Sequence, residues 1–180
     1  MGKREEQRGI TLVEAAVVLA VTAIVASSAA PSFLGFIEKQ RLDGVAAQLA
    51  TDIQFARAEA VLRNTGVRLT LQTQAWGSCY VIHTGNANQC SCSDTGAAQC
   101  SDGAQQIKTV QLPANEQVAL QGNVGSILFD PLHGTSTPTG TLKLVAASGG
   151  TVQHVVNVMG RVRTCSPQGA VPPVSGYAVC

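Results

Sequence analysis

The stretch Arg8–Ile37 reads RGITLVEAAVVLAVTAIVASSAAPSFLGFI, and residues 15–37 within it carry no charged side chain. A helix rises about 1.5 Å per residue, so residues 15–37 would extend roughly 34 Å, enough to cross the hydrocarbon core of a bilayer. One acid, Glu14, and a basic leader that ends at Gly9 come before the apolar run. The sequence therefore predicts an N-terminal membrane anchor.

The order of these features distinguishes the anchor from a secretory signal. A signal peptide is cut after its apolar region, whereas the predicted cleavage here falls between Gly9 and Ile10, before that region. An acid inside hydrocarbon is costly and indicates a partner. The amino group that cleavage frees at Ile10 is such a partner for Glu14, on the same chain or on a neighbouring one.

The hexapeptide Gly9-Ile10-Thr11-Leu12-Val13-Glu14 resembles the prepilin cleavage and N-methylation motif of type IV pilin-like proteins. Members usually carry Phe after the Gly, and Ile10 keeps that position hydrophobic. Pro31 lies where such proteins commonly kink the helix. The resemblance implies cleavage by a prepilin peptidase and storage in the inner membrane, with the globular domain in the periplasm. It also implies assembly with other pilins into a filament, for which Glu14 is the candidate residue.

The chain is predicted to contain a leader over 1–9, an anchor and filament-core helix over 10–37, and a globular domain over 38–180. The domain begins with an amphipathic helix over 38–64. Apolar side chains recur there at spacings of three and four, which is typical of a helix with one buried side: Leu42, Val45, Ala46, Leu49, Ile53, Ala56 and Ala60. Charged residues fall largely outside this stripe: Lys39, Asp43, Asp52, Glu59 and Arg63.

The period of the apolar residues changes to two from Val67 onward, which predicts a β domain over 65–180. The expected strands are Val67–Gln72, Cys79–His83, Ile107–Leu112, Gln117–Leu120, Ser126–Phe129, Leu142–Ala146 and Val152–Val158. The polar, Cys-rich segment Thr84–Gly103 predicts a long loop stapled by disulfides. The expected fold is α+β, a long helix packed on an antiparallel sheet.

Six cysteines, none of them in the anchor, follow an export signal, and this predicts disulfides. Proximity in sequence favours a bridge between Cys165 and Cys180. It leaves open the pairing of the other four: Cys79, Cys90, Cys92 and Cys100. A zinc site among those four is the alternative, which the Cys90-Ser91-Cys92 spacing and an oxidising compartment disfavour.

The sequence contains no readable acid–base pair, nucleophile motif or nucleotide-binding loop. We therefore expect neither an enzyme nor a cofactor. The three histidines His83, His133 and His154 are scattered among strands and a turn. They are expected to be structural or exposed to solvent.

The charge of the chain is nearly balanced, but its C-terminal part is basic. After Asp130 there is no acid, and the basic residues Lys143, Arg161 and Arg163 give residues 131–180 a formal charge of +3. In an extended segment Arg161 and Arg163 would point to one face, and their planar guanidinium groups suit phosphate oxygens. The alternative is two solvated arginines, or partners for acids elsewhere in a filament.

The N-terminal motif, the helix around Asp52–Ala60, the strand after it and the Cys-flanked tail together resemble the GspH/FimT family of minor pilins. Gly160, Arg161 and Arg163 match the G-R-x-R motif with which FimT-type pilins hold DNA during natural transformation. The resemblance implies non-specific binding of double-stranded DNA, with Lys143 as a further candidate. The alternatives are a FimU-like structural minor pilin that primes pilus assembly and a GspH-like pseudopilin of type II secretion.

Overall fold

The computed structural model describes residues 11–169 and 172–180, without the side chains of residues 28–32. The predicted processing site, Gly9 and Ile10, lies outside the described residues, and so does the side chain of Pro31. The chain divides into two compact units, Met1–Ile37 and Glu38–Cys180.

The described part of the first unit is helical. Helix α1 runs over Leu12–Arg63 and so continues into the second unit. It begins where the Thr11 hydroxyl oxygen accepts a hydrogen bond from the backbone N–H of Glu14, at 3.3 Å, as an N-cap does. In the described part of the first unit its large apolar side chains, among them Leu12 and Val17, are exposed.

No helix within the described residues contains a run that is long and apolar enough to cross a membrane.

The second unit consists of the later turns of α1, a 3₁₀ turn at Ala114–Glu116 and a set of short strands. The strands are β1 (Val67–Gln74), β2 (Gly77–Thr84), β3 (Cys90–Cys92), β4 (Ala98–Cys100), β5 (Gln106–Pro113), β6 (Val118–Gly122), β7 (Ser126–Phe129), β8 (Ser136–Thr137), β9 (Gly140–Ala146), β10 (Thr151–Val156) and β11 (Val162–Cys165).

The strands form two larger sheets and one small hairpin. The order of the five-stranded sheet is β5-β2-β1-β7-β8, and the order of the four-stranded sheet is β11-β10-β9-β6. Strands β3 and β4 pair with each other, and all of these ladders are antiparallel. The predicted α+β arrangement is thereby confirmed.

The apolar stripe of α1 forms the centre of the main core, as predicted. Six of its seven residues are at most 2% exposed, namely Leu42, Ala46, Leu49, Ile53, Ala56 and Ala60. They pack with inward-facing side chains from both large sheets, such as Ile82 of β2 and Leu144 of β9. Burial in β9 and β10 alternates residue by residue, because successive side chains of a strand point to opposite faces.

The prediction that Asp52 lies away from the buried side of the helix is wrong, because this residue is only 3% exposed. Tyr80 donates a hydrogen bond to its Oδ2 at 2.7 Å, and the Lys108 ammonium donates to its Oδ1 at 2.6 Å. Asp52 is three residues from Leu49 and four from Ala56, at the margin of the stripe. The two donors offset the cost of removing the carboxylate from water.

Disulfides staple the segment Thr84–Gly103, as predicted, but the expectation that it is a loop rather than part of a core is wrong. Within it β3 and β4 form a hairpin, and a disulfide joins the paired residues Cys90 and Cys100. A second disulfide joins Cys79 of β2 to Cys92. The hairpin covers the outer face of the five-stranded sheet, where it builds a small separate core.

A side chain from the sheet fixes the position of this hairpin. Gln72 of β1 donates from Nε2 to the carbonyl oxygen of Cys90 at 3.3 Å and accepts at Oε1 from the N–H of Cys92 at 2.8 Å.

All six cysteines are in disulfides, including the four of the alternative zinc site. No group of three or more potential metal ligands occurs in the part of the chain that the structure describes.

The C-terminal segment from residue 172 is fastened to both secondary-structure layers. A disulfide joins Cys165 of β11 to Cys180, with their Cα atoms 5.0 Å apart. The Lys39 ammonium of α1 donates to the Ser175 hydroxyl oxygen at 2.8 Å, and Val174 packs against the main core. The segment therefore closes the edge of the domain beside β11.

Replacing Lys108 with Met tests the ion pair between the partly exposed Lys108 and the buried Asp52. The Asp52 carboxylate would keep Tyr80 but lose its cationic partner, so we expect the free energy of unfolding to fall by about 1–3 kcal/mol. The measurement is urea unfolding of residues 38–180 followed by circular dichroism. Lys143→Met is the matched control, because that lysine is exposed, and it should change little. Equal losses in both variants would contradict the pairing.

Candidate functional site

The G-R-x-R tetrapeptide lies where the turn after β10 leads into β11, with Gly160 and Arg161 in the turn and Val162 and Arg163 in the strand. The predicted strand to Val158 ends earlier, at Val156, because the chain reverses there. The N–H of Gly160 donates to the carbonyl oxygen of Asn157 at 2.8 Å, and the N–H of Arg161 donates to Asn157 Oδ1 at 3.0 Å. Gly160 has φ +68°, a conformation that favours glycine.

Close packing is a second reason for glycine at position 160. A Cβ atom there would lie 2.6 Å from the carbonyl oxygen of Gly134 and 2.9 Å from Arg57 Cδ. Ser136 also holds the turn, since its N–H donates to the carbonyl oxygen of Val158 at 2.9 Å. The turn is therefore fixed against both α1 and the loop that follows β7.

The register of the four-stranded sheet determines where its basic side chains point. Lys143 of β9 pairs with Gln153 of β10, and Arg163 of β11 pairs with Val155 of β10. Gln153 and Val155 are two residues apart, so Lys143 and Arg163 lie on the same outward face. With strands about 4.8 Å apart and about 3.3 Å per residue, their Cα atoms are roughly 12 Å apart.

The candidate cations are accessible. The side chains of Lys143, Arg161 and Arg163 are exposed. None of them makes an ion pair within the described residues, where the three pairs involve other side chains. Arg161 lies just before β11, at the rim of the outward face. We call these three residues the basic face; their contact with a ligand stays a prediction.

Glu14, the candidate assembly residue, lies in the first turn of α1. Its side chain is exposed in the single chain. The amino group predicted to pair with it belongs to Ile10, outside the described residues. The proposed pairing therefore stays a prediction as well.

Two of the three histidines are buried and structural, as expected. The Nδ1 atom of His83 lies 2.8 Å from the carbonyl oxygen of Thr84, so it carries the proton, and Nε2 accepts from the Thr70 hydroxyl at 2.8 Å. Burial lowers the pKa of His83, which keeps the ring neutral. His133 is exposed, beside Asp130.

His154 lies behind the basic face, on the inner side of the same sheet. Its Nδ1 is 2.9 Å from the Thr164 hydroxyl oxygen. Burial lowers the pKa of His154 to about 4. The ring is therefore neutral at pH 7 and serves the core of the domain rather than the basic face.

A long N-terminal helix whose second part packs on an antiparallel β domain is the architecture of a pilin-like subunit. The prokaryotic N-terminal methylation motif matches residues 6–30. The family described as type II transport protein GspH matches residues 45–160, more than half of the chain. The chain belongs to this GspH family of type IV pilin-like proteins, which confirms the resemblance seen in the sequence.

Similar proteins include both pilins and pseudopilins. The pilin-like protein PilA1 of Thermus thermophilus is 32% identical over 158 residues, which are 87% of this chain and 97% of that protein. The type IV minor pilin FimU of Pseudomonas aeruginosa has a TM-score of 0.54 at 19% identity and covers 76% of this chain and 99% of its own. The minor pseudopilin EpsH from the type 2 secretion system of Vibrio cholerae has a TM-score of 0.50 at 12% identity, with 70% and 97% covered. The two solved structures support the fold.

The buried histidines predict a loss of stability in acid. Between the ordinary pKa of 6.5 and the lowered value of about 4, the unfolded chain binds a proton at position 154 that the folded chain does not. The free energy of unfolding should therefore fall as the pH decreases over this range, by up to about 3 kcal/mol from His154.

Urea unfolding between pH 7 and pH 4 measures this dependence. His154→Gln should have a shallower pH dependence than the wild type, whereas the exposed His133→Gln should not. If the His154 variant and the wild type lost equal stability between pH 7 and pH 4, His154 would not be the source of the pH dependence.

Proposed function

We propose that this chain is a FimT-like minor pilin that is incorporated into a type IV pilus and binds double-stranded DNA non-specifically for uptake in natural transformation. The observation that carries the proposal is the basic face. Lys143 and Arg163 are exposed on the outward face of the four-stranded sheet, Arg161 is exposed just before β11, and no Asp or Glu follows Asp130 in the sequence.

The chemistry of this face favours phosphate over bases. Arginine donates in a planar fork that matches phosphate oxygens, and lysine contributes a point charge. The outward positions of the four-stranded sheet carry no aromatic ring on which a base could stack. Three phosphate contacts predict weak binding per subunit, with a slope of log K against log salt of about −2.7. Many subunits in one filament would raise the avidity.

The remaining parts of the proposal concern processing and location. A prepilin peptidase cleaves after Gly9, Ile10 becomes the methylated N-terminus, and the apolar segment holds the chain in the inner membrane before assembly. The domain from Glu38 onward then lies in the periplasm. The three disulfides support this location, because such bridges persist in oxidising compartments.

A purely structural role is the second candidate, as a FimU-like subunit that primes pilus assembly or a pseudopilin of type II secretion. The observation that favours it is apolar exposure at the end of α1, where the neighbouring residues Val61 and Leu62 are 52% and 80% exposed. Exposed apolar side chains that cluster mark contacts with other proteins. The two roles are compatible in one subunit.

DNA retardation by the domain 38–180 tests the first role. Arg161→Ala with Arg163→Ala should abolish most of the retardation at low salt, because two of the three proposed phosphate contacts are lost. The matched control is Lys39→Ala with Arg41→Ala. It removes the same charge from the first turns of α1 within the domain, away from the basic face. Equal retardation by both double variants would exclude the basic face. If the wild-type domain did not retard DNA at all, the DNA-binding role would be excluded and the structural role would stand alone.

The filament role is tested at Glu14. We expect Glu14→Ala to reduce incorporation into the filament at least several-fold, because the amino group at Ile10 would lose its counter-charge. Pilus preparations probed with an antibody to the domain measure incorporation, and circular dichroism of the variant checks its folding. A Glu14→Gln variant keeps the size of the side chain and should fail likewise. Normal incorporation of both variants would contradict the charge-pairing account.

A further inference from the structure

One side chain connects α1 to the G-R-x-R turn. Arg57 donates from Nε to the carbonyl oxygen of Gly134 at 2.8 Å. A Cβ atom on Gly160 would lie 3.0 Å from the same Nε, and a Cβ atom on Gly134 would lie 2.9 Å from it. Both glycines have positive φ, +61° at Gly134 and +68° at Gly160. The Arg57 side chain therefore packs against the backbone at positions 134 and 160, where the Cβ atom of any other residue would clash with it.

No acid among the described residues pairs with Arg57. Its hydrogen bond to Gly134 uses Nε, and the terminal nitrogens Nη1 and Nη2 have no hydrogen-bond partner in the same part of the chain. The nearest acid along the helix, Glu59, is paired with Arg63. A half-buried guanidinium group with free donors is stabilised when an anion binds to it.

Arg57 lies beside the G-R-x-R turn. Its stem touches Gly160, and Arg161 follows directly in the chain. Arg57 also lines an open groove, together with Leu62, Gly134 and Glu59, whose carboxylate is paired with Arg63. The groove gives a ligand access to Arg57 from solvent.

We propose that Arg57 is a fourth cation of the DNA site and donates from its terminal nitrogens to a phosphate oxygen next to the phosphate held by Arg161. This inference rests on the proposed function. The bond from Nε to Gly134 orients the guanidinium group in advance, so little side-chain entropy is lost on binding. The helix motif around position 57 and the G-R-x-R motif thereby become parts of one site.

The test compares variants of the full-length chain in detergent, with a fluorescent duplex as the probe. Arg57→Gln keeps a donor for the Gly134 carbonyl but removes the charge. It should weaken binding about three- to ten-fold at 0.1 M salt and make the salt slope shallower by about 0.9, the share of one phosphate contact. Arg41→Gln removes the same charge away from the site and should change neither quantity. Thermal unfolding checks that both variants are folded.

Chemical protection provides a second readout that needs no substitution. Phenylglyoxal modifies exposed guanidinium groups, and mass spectrometry locates the adducts. DNA should protect Arg57 and Arg161 in the wild type but leave Arg41 reactive. The inference is overturned if Arg57→Gln binds as the wild type does with an unchanged slope, or if DNA protects Arg161 and not Arg57. If the wild type binds no DNA at all, the proposed function itself fails, and the inference fails with it.

Discussion

The burial of one side of α1 between two sheets is the constraint on which the rest of the domain depends. An isolated helix gains little from propensity alone, and most of its stability comes from packing an amphipathic face. Each fully buried Leu or Ile contributes about 1.5–3 kcal/mol, so side chains such as Leu49 and Ile53 dominate the core. The alternating inward residues of β9 and β10 complete this core and at the same time turn Lys143 outward. The basic face is thus a consequence of the packing of the opposite face.

Polar side chains at the margins of the helix determine how the surrounding segments are held. Asp52 is buried and connects α1 to β2 and β5 through Tyr80 and Lys108. Arg57, one turn further on, connects α1 to Gly134 and packs against Gly160. Each of these contacts removes charge from water and needs a well-placed partner in return. The helix therefore specifies the positions of particular strands and turns in addition to supplying apolar area.

The disulfides act at the periphery of this packing. Two of them hold the β3–β4 hairpin over the outer face of the five-stranded sheet, and the third closes the C-terminal segment beside β11. The covered face contains Cys79 and Val81, which would otherwise be exposed. The outward face of the four-stranded sheet is covered beside Cys165, where the Gln153 amide donates to Cys180 Sγ at 2.7 Å. Lys143 and Arg163 lie exposed on that same face.

The sequence by itself determined the α+β class, the stripe of α1, most of the strands and the family, because these follow from the period of apolar residues and from short motifs. It also indicated the candidate residues Glu14, Arg161 and Arg163. Only the tertiary structure decided that Asp52 is buried, since its partners are 28 and 56 residues away. Likewise, Gly134 is 77 residues from Arg57, so the contact of the helix with the G-R-x-R turn leaves no local pattern. Periodicity reports which face of an element is buried, whereas pairing between distant polar groups is fixed by the three-dimensional arrangement alone.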